Sequence, residues 1–342
     1  MTLRAKRNST SSSTAPSIND VAAHARVSIA TVSRVLNARG KYSEETRQRV
    51  LQSIKTLEYS PSTAARSLAR GRTHAIALVM PSINADFLQP LLVAVVEAAT
   101  LAGFDVLLTL RPTAKGHRPI GKHNVDGAIV FASSADPSEL RRLHAAGCPL
   151  VLMYETSPAD LNIPCVLLEN RQGARQMTEH LIKLGRHKIA FLRGMDGLED
   201  SCEREAGFRD AFAAHGMVAD EGLIGAGEFN ADISFHTVSA WLECGLQFDA
   251  IFASDDDSAS GALQALAQAG ISVPSSVAVA GFDDAPLAAN LTPPLTTVRA
   301  LTSQVGFEAV RLLVNLIETG SSASQVRLPT ELVIRRSCGS LG

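Results

Sequence analysis

The amino-acid sequence predicts an α/β fold class, in which an N-terminal helix-turn-helix domain precedes a two-lobed core of parallel sheets. Residues 17–37 read as two short amphipathic helices joined by a tight turn. From His74 onward, short apolar runs alternate with helical stretches, which is the pattern of parallel strands covered by helices. The length of 342 residues exceeds that of one ordinary domain. We therefore expect at least two units.

The chain begins with residues 1–16, a polar arm rich in serine and threonine. Such a segment cannot bury enough apolar surface to fold by itself. Ser17 and Asp20, three residues apart, then form the pattern of a capping box. One face of the following stretch is apolar, through Ile18, Val21, Ala22 and Ala25. The pattern predicts a helix that begins after Ser17.

The second helix has Ser28 in the position of its cap. Val32, Val35 and Leu36 point back to a small core, and the other residues face outward: Ile29, Ala30, Thr31, Ser33 and Arg34. In a helix pair of this kind the second helix lies in a DNA major groove. We predict that these outward residues read DNA, although any small helical hairpin would show similar caps.

The distribution of charge separates these two interpretations. Residues 1–72 hold 13 lysines and arginines against 4 acidic residues, a net charge of about +9, whereas the whole chain carries −2. The remaining residues therefore carry about −11. A basic end on an acidic chain is the electrostatic footprint of a module that binds phosphates. The charge favours DNA binding over an unrelated hairpin.

A third helix is predicted over residues 44–57, with Ser43 as its cap. Pro61 then breaks the chain, and a short amphipathic segment follows, whose apolar side is flanked by Arg66 and Arg70. An isolated helix of this length is marginal in water. We therefore divide the chain into a helix-turn-helix domain at 17–60, a hinge helix and linker at 61–73 and a core at 74–342.

Eight apolar runs in the core are predicted strands: residues 75–80, 104–109, 127–131, 149–153, 165–168, 188–192, 250–254 and 277–281. Because they are apolar on both faces and separated by helices, they indicate parallel sheets. The runs up to residue 153 suffice for one sheet, and those from residue 165 onward suffice for a second. Residues 111–124 depart from the pattern, because their prolines and glycines predict a loop or a distorted helix.

Several segments carry a family resemblance: ATVSRVLN at 30–37, SEETRQRVLQSIKTLEYSP at 43–61, ARSLARGRT at 65–73, VMPSINADF at 79–87, GFRDAF at 207–212, GFDDAP at 281–286 and PPLTTVR at 293–299. Together they resemble the lactose-repressor (LacI/GalR) family of bacterial transcriptional regulators. These segments span nearly the whole chain, and they follow one another in the same order as in the family.

The resemblance implies a core like that of periplasmic sugar-binding proteins, with three chain crossings between two lobes. We expect crossings near 163–164, 292–294 and 321–324, which gives a first lobe at about 74–163 and 294–321 and a second at about 164–292 and 324–338. The carboxyl ends of parallel strands face each other across a cleft between such lobes. The cleft is the predicted effector site.

The resemblance also implies roles for the DNA-binding residues. Arg34 can donate a bidentate pair to guanine, with a phosphate contact as the alternative. Ile29 and Ala30 can offer only apolar contact to a base. We expect phosphate contacts from Ser28, Thr31, Ser33 and Asn37. Leu68 matches a hinge leucine that wedges into the minor groove, although it can instead pack the hinge onto its partner; Arg66 flanks it on the hinge.

In the cleft, Arg204 and Asp283 match effector-binding positions of the family, and Asp255 lies where the family usually has asparagine. We expect Arg204 and Asp283 to hold the ligand's hydroxyls from opposite sides, which favours a sugar. Phe87 can stack on a sugar face, or it can belong to the core. Arg26 occupies a turn position where the family usually has glycine, so this turn is expected to be strained.

The sequence predicts a homodimeric repressor of a carbohydrate uptake or catabolism operon, controlled by a sugar effector and bound to double-stranded, pseudo-palindromic operator DNA. A regulator that responds to a nucleobase or a phosphorylated metabolite is an alternative, as is a solute-binding protein. Because the chain ends shortly after its last predicted strand at 332–334, without the leucine heptads of tetrameric family members, we expect a dimer.

Other classes are disfavoured. The acidic run 255–257 falls at a helix start, where capping explains it better than acid–base catalysis or a metal, so we expect no enzyme. Five scattered cysteines lack zinc-ligand spacing and are expected to be reduced packing residues, without a metal or cofactor. No apolar run reaches about 18 residues, and no secretory signal is evident, so we expect a cytoplasmic protein without a membrane partner.

Overall fold

The computed structural model describes residues 16–36, 40–59, 72–82, 87–110 and 120–339. The chain consists of two compact units, Met1–Thr73 and His74–Gly342. Parts of the predicted arm and hinge, residues 1–15 and 60–71, lie outside the described residues, as do 111–119 of the irregular segment. Residues 121–124, at the end of that segment, form a bend and turn rather than a helix.

The described part of the first unit contains three helices, α1 Ile18–Ala25, α2 Ile29–Leu36 and α3 Glu44–Thr56. The Asp20 carboxylate accepts hydrogen bonds from the backbone N–H of Ser17 at 2.8 Å and from its hydroxyl at 2.7 Å. The Ser28 hydroxyl accepts the Thr31 backbone N–H at 3.2 Å, at the start of α2. These bonds satisfy N–H groups that a helix start leaves open, so both predicted helix starts are confirmed.

The core of this unit is small and apolar, made of Val21, Ala22, Ala25, Val32, Val35, Val50 and Tyr59. Residues from all three helices contribute, so no helix buries its apolar face alone. The His24 ring also reaches α3, because its Nδ1 lies 2.9 Å from the Ser53 hydroxyl oxygen. Packing of the amphipathic faces thus stabilises helices too short to persist in isolation.

The second unit alternates strands and helices. Its strands are β1 Ala75–Met80, β2 Asp105–Leu110, β3 Gly127–Phe131, β4 Leu150–Met153, β5 Cys165–Leu168, β6 Ile189–Arg193, β7 Ile224–Ala226, β8 Ala250–Ala253, β9 Ala278–Ala280, β10 Thr297–Ala300, β11 Gln325–Leu328 and β12 Thr330–Val333. Its α-helices are α4 Leu88–Leu101, α5 Pro137–Ala145, α6 Asn170–Lys183, α7 Glu199–Ala214, α8 Ala231–Glu243, α9 Asp256–Gln268 and α10 Thr302–Thr319.

The strands form two parallel sheets, which define the two lobes. The first lobe has the order β2-β1-β3-β4-β5-β11 and the second has the order β7-β6-β8-β9. An antiparallel pair, β10 and β12, adjoins the second sheet through bridges from Ala280 to Thr296 and from Asp283 to Arg299. In both sheets the strand order reverses, between β1 and β3 and between β6 and β8. Such switch points open a crevice at the carboxyl ends of the strands.

The predicted crossings between the lobes are placed too early in the chain. The strand β5, expected in the second lobe, pairs in parallel with β4 and β11 of the first sheet. Conversely β10, expected in the first lobe, adjoins the second sheet. The chain therefore crosses after β5, after β10 and after β11. A short strand such as β5, buried on both faces, has the same pattern in either sheet, so the local sequence cannot assign it.

The strand β2 also differs from expectation, because it is an edge strand that is not buried on both faces. Leu107 and Leu108 are exposed, although the run that contains them is as apolar as those of the buried strands.

The five cysteines are all free; Cys148, Cys165 and Cys338 are buried, whereas Cys202 and Cys244 are exposed. The prediction of packing cysteines is thus wrong for the last two.

Two glycines allow the helices of the second lobe to approach closely. A side chain at Gly207 of α7 would collide with the backbone carbonyl of Arg171 on α6, and one at Gly261 of α9 would collide with that of Ala231 on α8. The paired helices cover the second sheet and carry several residues of the cleft. Close packing therefore fixes where those residues lie.

Candidate DNA-binding surface and ligand cleft

The α2 helix separates its residues onto two faces, as the sequence predicts. Val32 and Val35 are buried, whereas Ile29 is 49% exposed. On the outward side Ser28, Ala30 and Arg34 are exposed, and Thr31 and Ser33 are half-buried. Ile29 lies at the start of the helix, and its apolar side chain is not part of the hydrophobic core of this unit. Asn37, Arg66 and Leu68 lie outside the described residues.

The turn between α1 and α2 is strained at Arg26. Its backbone adopts φ 53° and ψ 48°, in the left-handed region, where it ends α1. Residues with a Cβ rarely occupy this region, whereas glycine does so freely. The geometry agrees with the expectation of a strained turn. Arg34 lies beside a second left-handed residue, Gly40, where an added Cβ would lie 3.4 Å from Arg34 Cδ.

The cleft of the second unit is built around Arg204, which projects from α7 and is only 4% exposed. Each of its three guanidinium nitrogens contacts the protein. Nε donates to Asn170 Oδ1 at 2.9 Å, and Nη1 donates to the Ser254 carbonyl at 2.6 Å. Nη2 lies 3.0 Å from Asp283 Oδ1 and 3.8 Å from Asp200 Oδ2. The guanidinium joins strand ends and helices into one polar floor.

Aromatic rings support this guanidinium. Its central carbon lies 3.8 Å from the ring centroid of Phe282 and 5.8 Å from that of Phe229. A cation over a ring face is attracted by the ring quadrupole, and more strongly where water is excluded. Phe282 is the residue before Asp283, so one short turn supplies both the ring under Arg204 and its carboxylate partner.

That turn has an unusual backbone. Asp283 has φ 101° and Asp284 has φ 55°, two successive residues in a region that favours glycine. Asp284 is held from the other side by Arg299 at 2.8 Å and by Arg335 at 2.5 Å. Ion pairs on both aspartates thus hold the strained turn. Arg204 and Asp283 bind each other directly; that both also hold hydroxyls of the effector stays a prediction.

Asp255 follows β8 and caps α9, where its Oδ1 accepts the Ser258 backbone N–H at 3.1 Å. It is 5% exposed, and among the described residues no basic side chain forms an ion pair with it. Burial, together with the nearby charge of Asp283, raises the pKa of this carboxyl to about 7. Its neighbour Asp256 is bound to the Thr297 hydroxyl at 2.6 Å and to the Ala285 N–H at 2.7 Å. The acidic run therefore includes structural contacts.

Aromatic residues of the first lobe provide the other wall. The Phe131 ring centroid lies 5.0 Å from that of Tyr154 and 6.2 Å from that of Phe87. Phe87 is half-buried, and it shares with Asp283 the lining of a cavity of about 260 Å³. The structure thus brings together Phe87, Arg204, Asp255 and Asp283, the four residues that the sequence singled out for the cleft.

Sequence reasoning missed several members of this site. Asn170, Phe282 and Asp200 contact or closely approach Arg204, and Tyr154 lies on the opposite wall. Asp200 lies one helical turn before Arg204, a spacing that places both on one helix face. Tyr154 directly follows a predicted strand, where cleft residues are expected. Asn170 follows the predicted strand 165–168 by two residues and had the same signal.

The lobes also touch beside the cleft. The Thr156 backbone N–H of the first lobe donates to Glu199 of α7 at 2.8 Å. Arg327 on β11 lies 3.0 Å from Glu203 of the same helix. Both contacts join the first lobe to the helix that carries Arg204, so a movement of the lobes would change them.

A second cavity, of about 580 Å³, lies at the opposite end of the first sheet. Its lining includes Pro149, Pro164 and Ser324, each just before a strand. Because parallel sheets bind ligands at the carboxyl ends of their strands, this position does not suit the effector.

Within the described ranges, no group of three or more histidine, cysteine or acidic side chains is arranged to hold a metal ion. None of the described helices combines the length and hydropathy of a membrane span.

Comparison with known proteins finds matches over both units. The family of bacterial regulatory proteins called the lacI family matches residues 17–62, and a periplasmic binding protein-like domain matches residues 178–338. The ribose operon repressor of Halalkalibacterium halodurans is 35% identical over 326 residues, 94% of this chain and 96% of the relative. The transcriptional regulator CelR of Thermobifida fusca is 35% identical over 336 residues, 94% of this chain and 98% of the relative.

Solved structures with a similar fold are also found. A complex of the transcriptional regulator CelR with cellobiose has a TM-score of 0.71 at 31% identity, covering 94% of this chain and 99% of its own. The Lac repressor dimer bound to operator and an anti-inducer has a TM-score of 0.84 at 24% identity, covering 95% and 99%; at that identity the likeness concerns the fold. The predicted fold class is confirmed.

Proposed function

Because this chain belongs to the lacI family of bacterial regulatory proteins, we propose that it is a repressor of a carbohydrate uptake or catabolism operon, controlled by a sugar bound between its lobes. The observation that carries the proposal is the polar floor around Arg204, faced by an aromatic wall. The ribose and cellobiose named for two relatives support the ligand class.

The chemistry of the cleft favours a polyhydroxylated ligand. Buried carboxylates accept hydrogen bonds from hydroxyls, and Phe87 offers a ring for a sugar face. A phosphorylated metabolite fits poorly, because Arg204 is already paired and the surrounding carboxylates repel an anion. A ligand that supplies several hydroxyl donors and carries no negative charge suits this site.

For DNA recognition we propose α2 as the reading helix. Arg34 would contact a guanine, Ile29 and Ala30 would contact apolar base edges, and four residues would bind phosphates: Ser28, Thr31, Ser33 and Asn37. In the hinge, Leu68 would act as the minor-groove wedge with Arg66 beside it. The strongly basic composition of residues 1–72 supports this assignment.

We propose a homodimer that joins through α4 and β2. Val93 and Val96 are exposed on one face of α4, and Leu101 at its end is 85% exposed. The neighbouring edge strand adds Leu107 and Leu108. Contiguous exposed apolar side chains of this kind mark an interaction surface, and a free strand edge invites pairing. A twofold dimer would place two reading helices on a pseudo-palindromic operator.

Control by the ligand would act through closure of the lobes. A sugar that binds the closed state better shifts the population toward it. The contacts of Thr156 with Glu199 and of Arg327 with Glu203 would differ between the two states. In a dimer, such a change alters the separation of the hinges and thus operator affinity.

We further propose that the protein acts in the cytoplasm, with no enzymatic activity and no cofactor.

The test is a gel shift of the full-length protein with DNA from upstream of its own and neighbouring genes, against random DNA of equal length. We expect tighter binding to one upstream fragment and a change in that affinity with one sugar of a panel. Equal binding to all fragments would contradict the repressor role, and a response only to nucleobases or phosphorylated compounds would contradict the sugar.

A further inference from the structure

We propose that the ligand of the cleft carries a protonated amine, so that the effector class is an amino sugar, with Asp255 as the residue that recognises the ammonium group. The inference rests on the proposed function, because it concerns the same cleft. It narrows the ligand class from sugars in general to sugars that carry an amino group.

The first argument is the balance of charge. Asp283 pairs with Arg204 at 3.0 Å, and Asp200 lies 3.8 Å from the same guanidinium. Asp255 is only 5% exposed, and within the described residues it has no cationic partner. An ionised carboxylate that is buried without a cation is costly. A ligand ammonium group would remove that cost.

The second argument is that Arg204 is directed to other partners than Asp255. All three of its guanidinium nitrogens are engaged, by Asn170, by the Ser254 carbonyl and by Asp283. Asp255 Oδ1 accepts the Ser258 backbone N–H, which is an uncharged donor. A ligand can supply the charged donor, which forms the stronger bond with a carboxylate.

An independent observation points to a ligand at this place. The Tyr154 hydroxyl on the opposite wall has no well-formed hydrogen bond in the described part of the chain, although the residue is only 4% exposed. The neighbouring Thr302 hydroxyl donates instead to the Ala300 carbonyl at 3.2 Å. The Ser254 hydroxyl, next to Asp255, is likewise buried and unpartnered. Buried polar groups are nearly always bonded, so a ligand would complete both sites.

The Tyr154 hydroxyl also lies within the field of the acids on the polar floor. Burial raises the pKa of Tyr154, and the charges of Asp200 and Asp283 add to the effect. The hydroxyl therefore stays protonated, close enough to Asp200 and Asp283 to be affected by their charges. A ligand bound there would contact both walls of the cleft.

These groups together describe the ligand. The hydroxyls of Tyr154 and Ser254 can each donate and accept, which suits sugar hydroxyls. Asp255, when ionised, accepts only. A ring with several hydroxyls and one ammonium group satisfies both demands, whereas an acidic ligand meets repulsion and a neutral sugar leaves Asp255 without a counter-charge.

The experiment compares matched ligands by calorimetric titration of the full-length protein at pH 7. The pairs are glucose with glucosamine, galactose with galactosamine and cellobiose with the β-1,4 dimer of glucosamine. The N-acetyl forms of the amino sugars lack the positive charge and therefore test whether binding requires it. We expect the amine of at least one pair to bind about tenfold or more tightly than its neutral partner, since bonds to charged groups contribute more than neutral ones. The N-acetyl form should lose this advantage.

Asp255→Asn is the decisive variant, because asparagine has nearly the same volume and also caps helices well. We expect it to reduce the preference for the amine to within about twofold while the neutral sugar still binds. Asp136→Asn is the matched control, because Asp136 caps α5 in the same manner, accepting the Glu139 N–H at 2.9 Å on an exposed site; it should keep the preference.

The outcomes separate the two proposals. If neutral sugars bind as tightly as amines, or if Asp255→Asn keeps the preference, the amine inference is overturned while the sugar proposal stands. If no member of any pair binds, both are overturned.

Discussion

The guanidinium of Arg204 is paired with the carboxylate of Asp283 at 3.0 Å, and both side chains are less than a tenth exposed. The two residues come from α7 and from the strained turn after β9, which are far apart in sequence. The pair therefore has two effects: it shapes the polar floor of the cleft, and it connects separate parts of the second lobe.

Removing Arg204 should destabilise the core. Arg204→Ala leaves Asp283 buried without its cation, and breaking a buried pair from one side costs about 3–5 kcal/mol. Arg311→Ala is the control, because it breaks a more exposed pair with Glu308, for which about 1 kcal/mol or less is expected. The free energy of unfolding by urea measures both. Equal losses would show that the Arg204 pair does not stabilise the fold.

The stability of the core should depend on pH through Asp200, Asp255 and Glu155, whose pKa values burial raises to about 7. The pKa of an unfolded carboxyl is about 4, so between pH values of about 4 and about 7 the folded state binds more protons than the unfolded state. The free energy of unfolding should then fall as pH rises through this window and level off above it.

Asp255→Asn removes one of these groups. Urea unfolding between pH 5 and pH 8 should show a flatter pH dependence than in the wild type and a more stable variant at pH 8. Asp136→Asn, which removes an exposed helix cap, should keep the wild-type slope. A variant as pH-sensitive as the wild type would mean that Asp255 is ionised throughout.

The turn at Arg26 should become more stable with glycine. Arg26 has φ 53°, and relief of this left-handed strain contributes about 1 kcal/mol. Arg26→Ala serves as the control, because it removes the same charge but keeps a Cβ. Amide hydrogen exchange in α1 and α2 should slow several-fold in Arg26→Gly and not in Arg26→Ala; equally fast exchange in both would contradict strain.

Arg34→Ala should abolish selectivity for the operator and leave weak, salt-sensitive binding. A bidentate contact to guanine contributes about 1–3 kcal/mol of discrimination, whereas phosphate contacts act on any sequence. Binding titrations on operator and random DNA at two salt concentrations test this. A parallel loss of affinity on both DNAs would assign Arg34 to a phosphate instead.

Val93→Glu should convert the proposed dimer to a monomer, because a charge on the face formed by α4 and β2 would be buried without a partner in the proposed interface. Val218→Glu is the control, since Val218 is 91% exposed elsewhere, on the second lobe. Sedimentation velocity at micromolar concentration distinguishes the two species. An unchanged dimer in Val93→Glu would place the interface on another surface.

Local sequence patterns determined much of this structure. The run at 127–131 coincides with β3, and that at 165–168 coincides with β5. The faces of α2 follow from the spacing of Val32 and Val35, which the core buries. Caps and periodicity act over a few residues, so a short stretch of sequence contains them fully. The candidate cleft residues came from the family resemblance, and the tertiary structure brings them together.

What the sequence could not decide depends on contacts between distant residues. The assignment of β5 to the first sheet is made by hydrogen bonds to β4 and to β11, which lies about 160 residues later. The exposure of β2 follows from its place at the sheet edge, not from its composition. The direct pairing of Arg204 with Asp283, and the absence of a cation beside Asp255 among the described residues, arise from how α7, α9 and the turn after β9 pack. Burial and charge pairing are properties of the assembled fold, because each depends on which distant groups exclude water from a side chain.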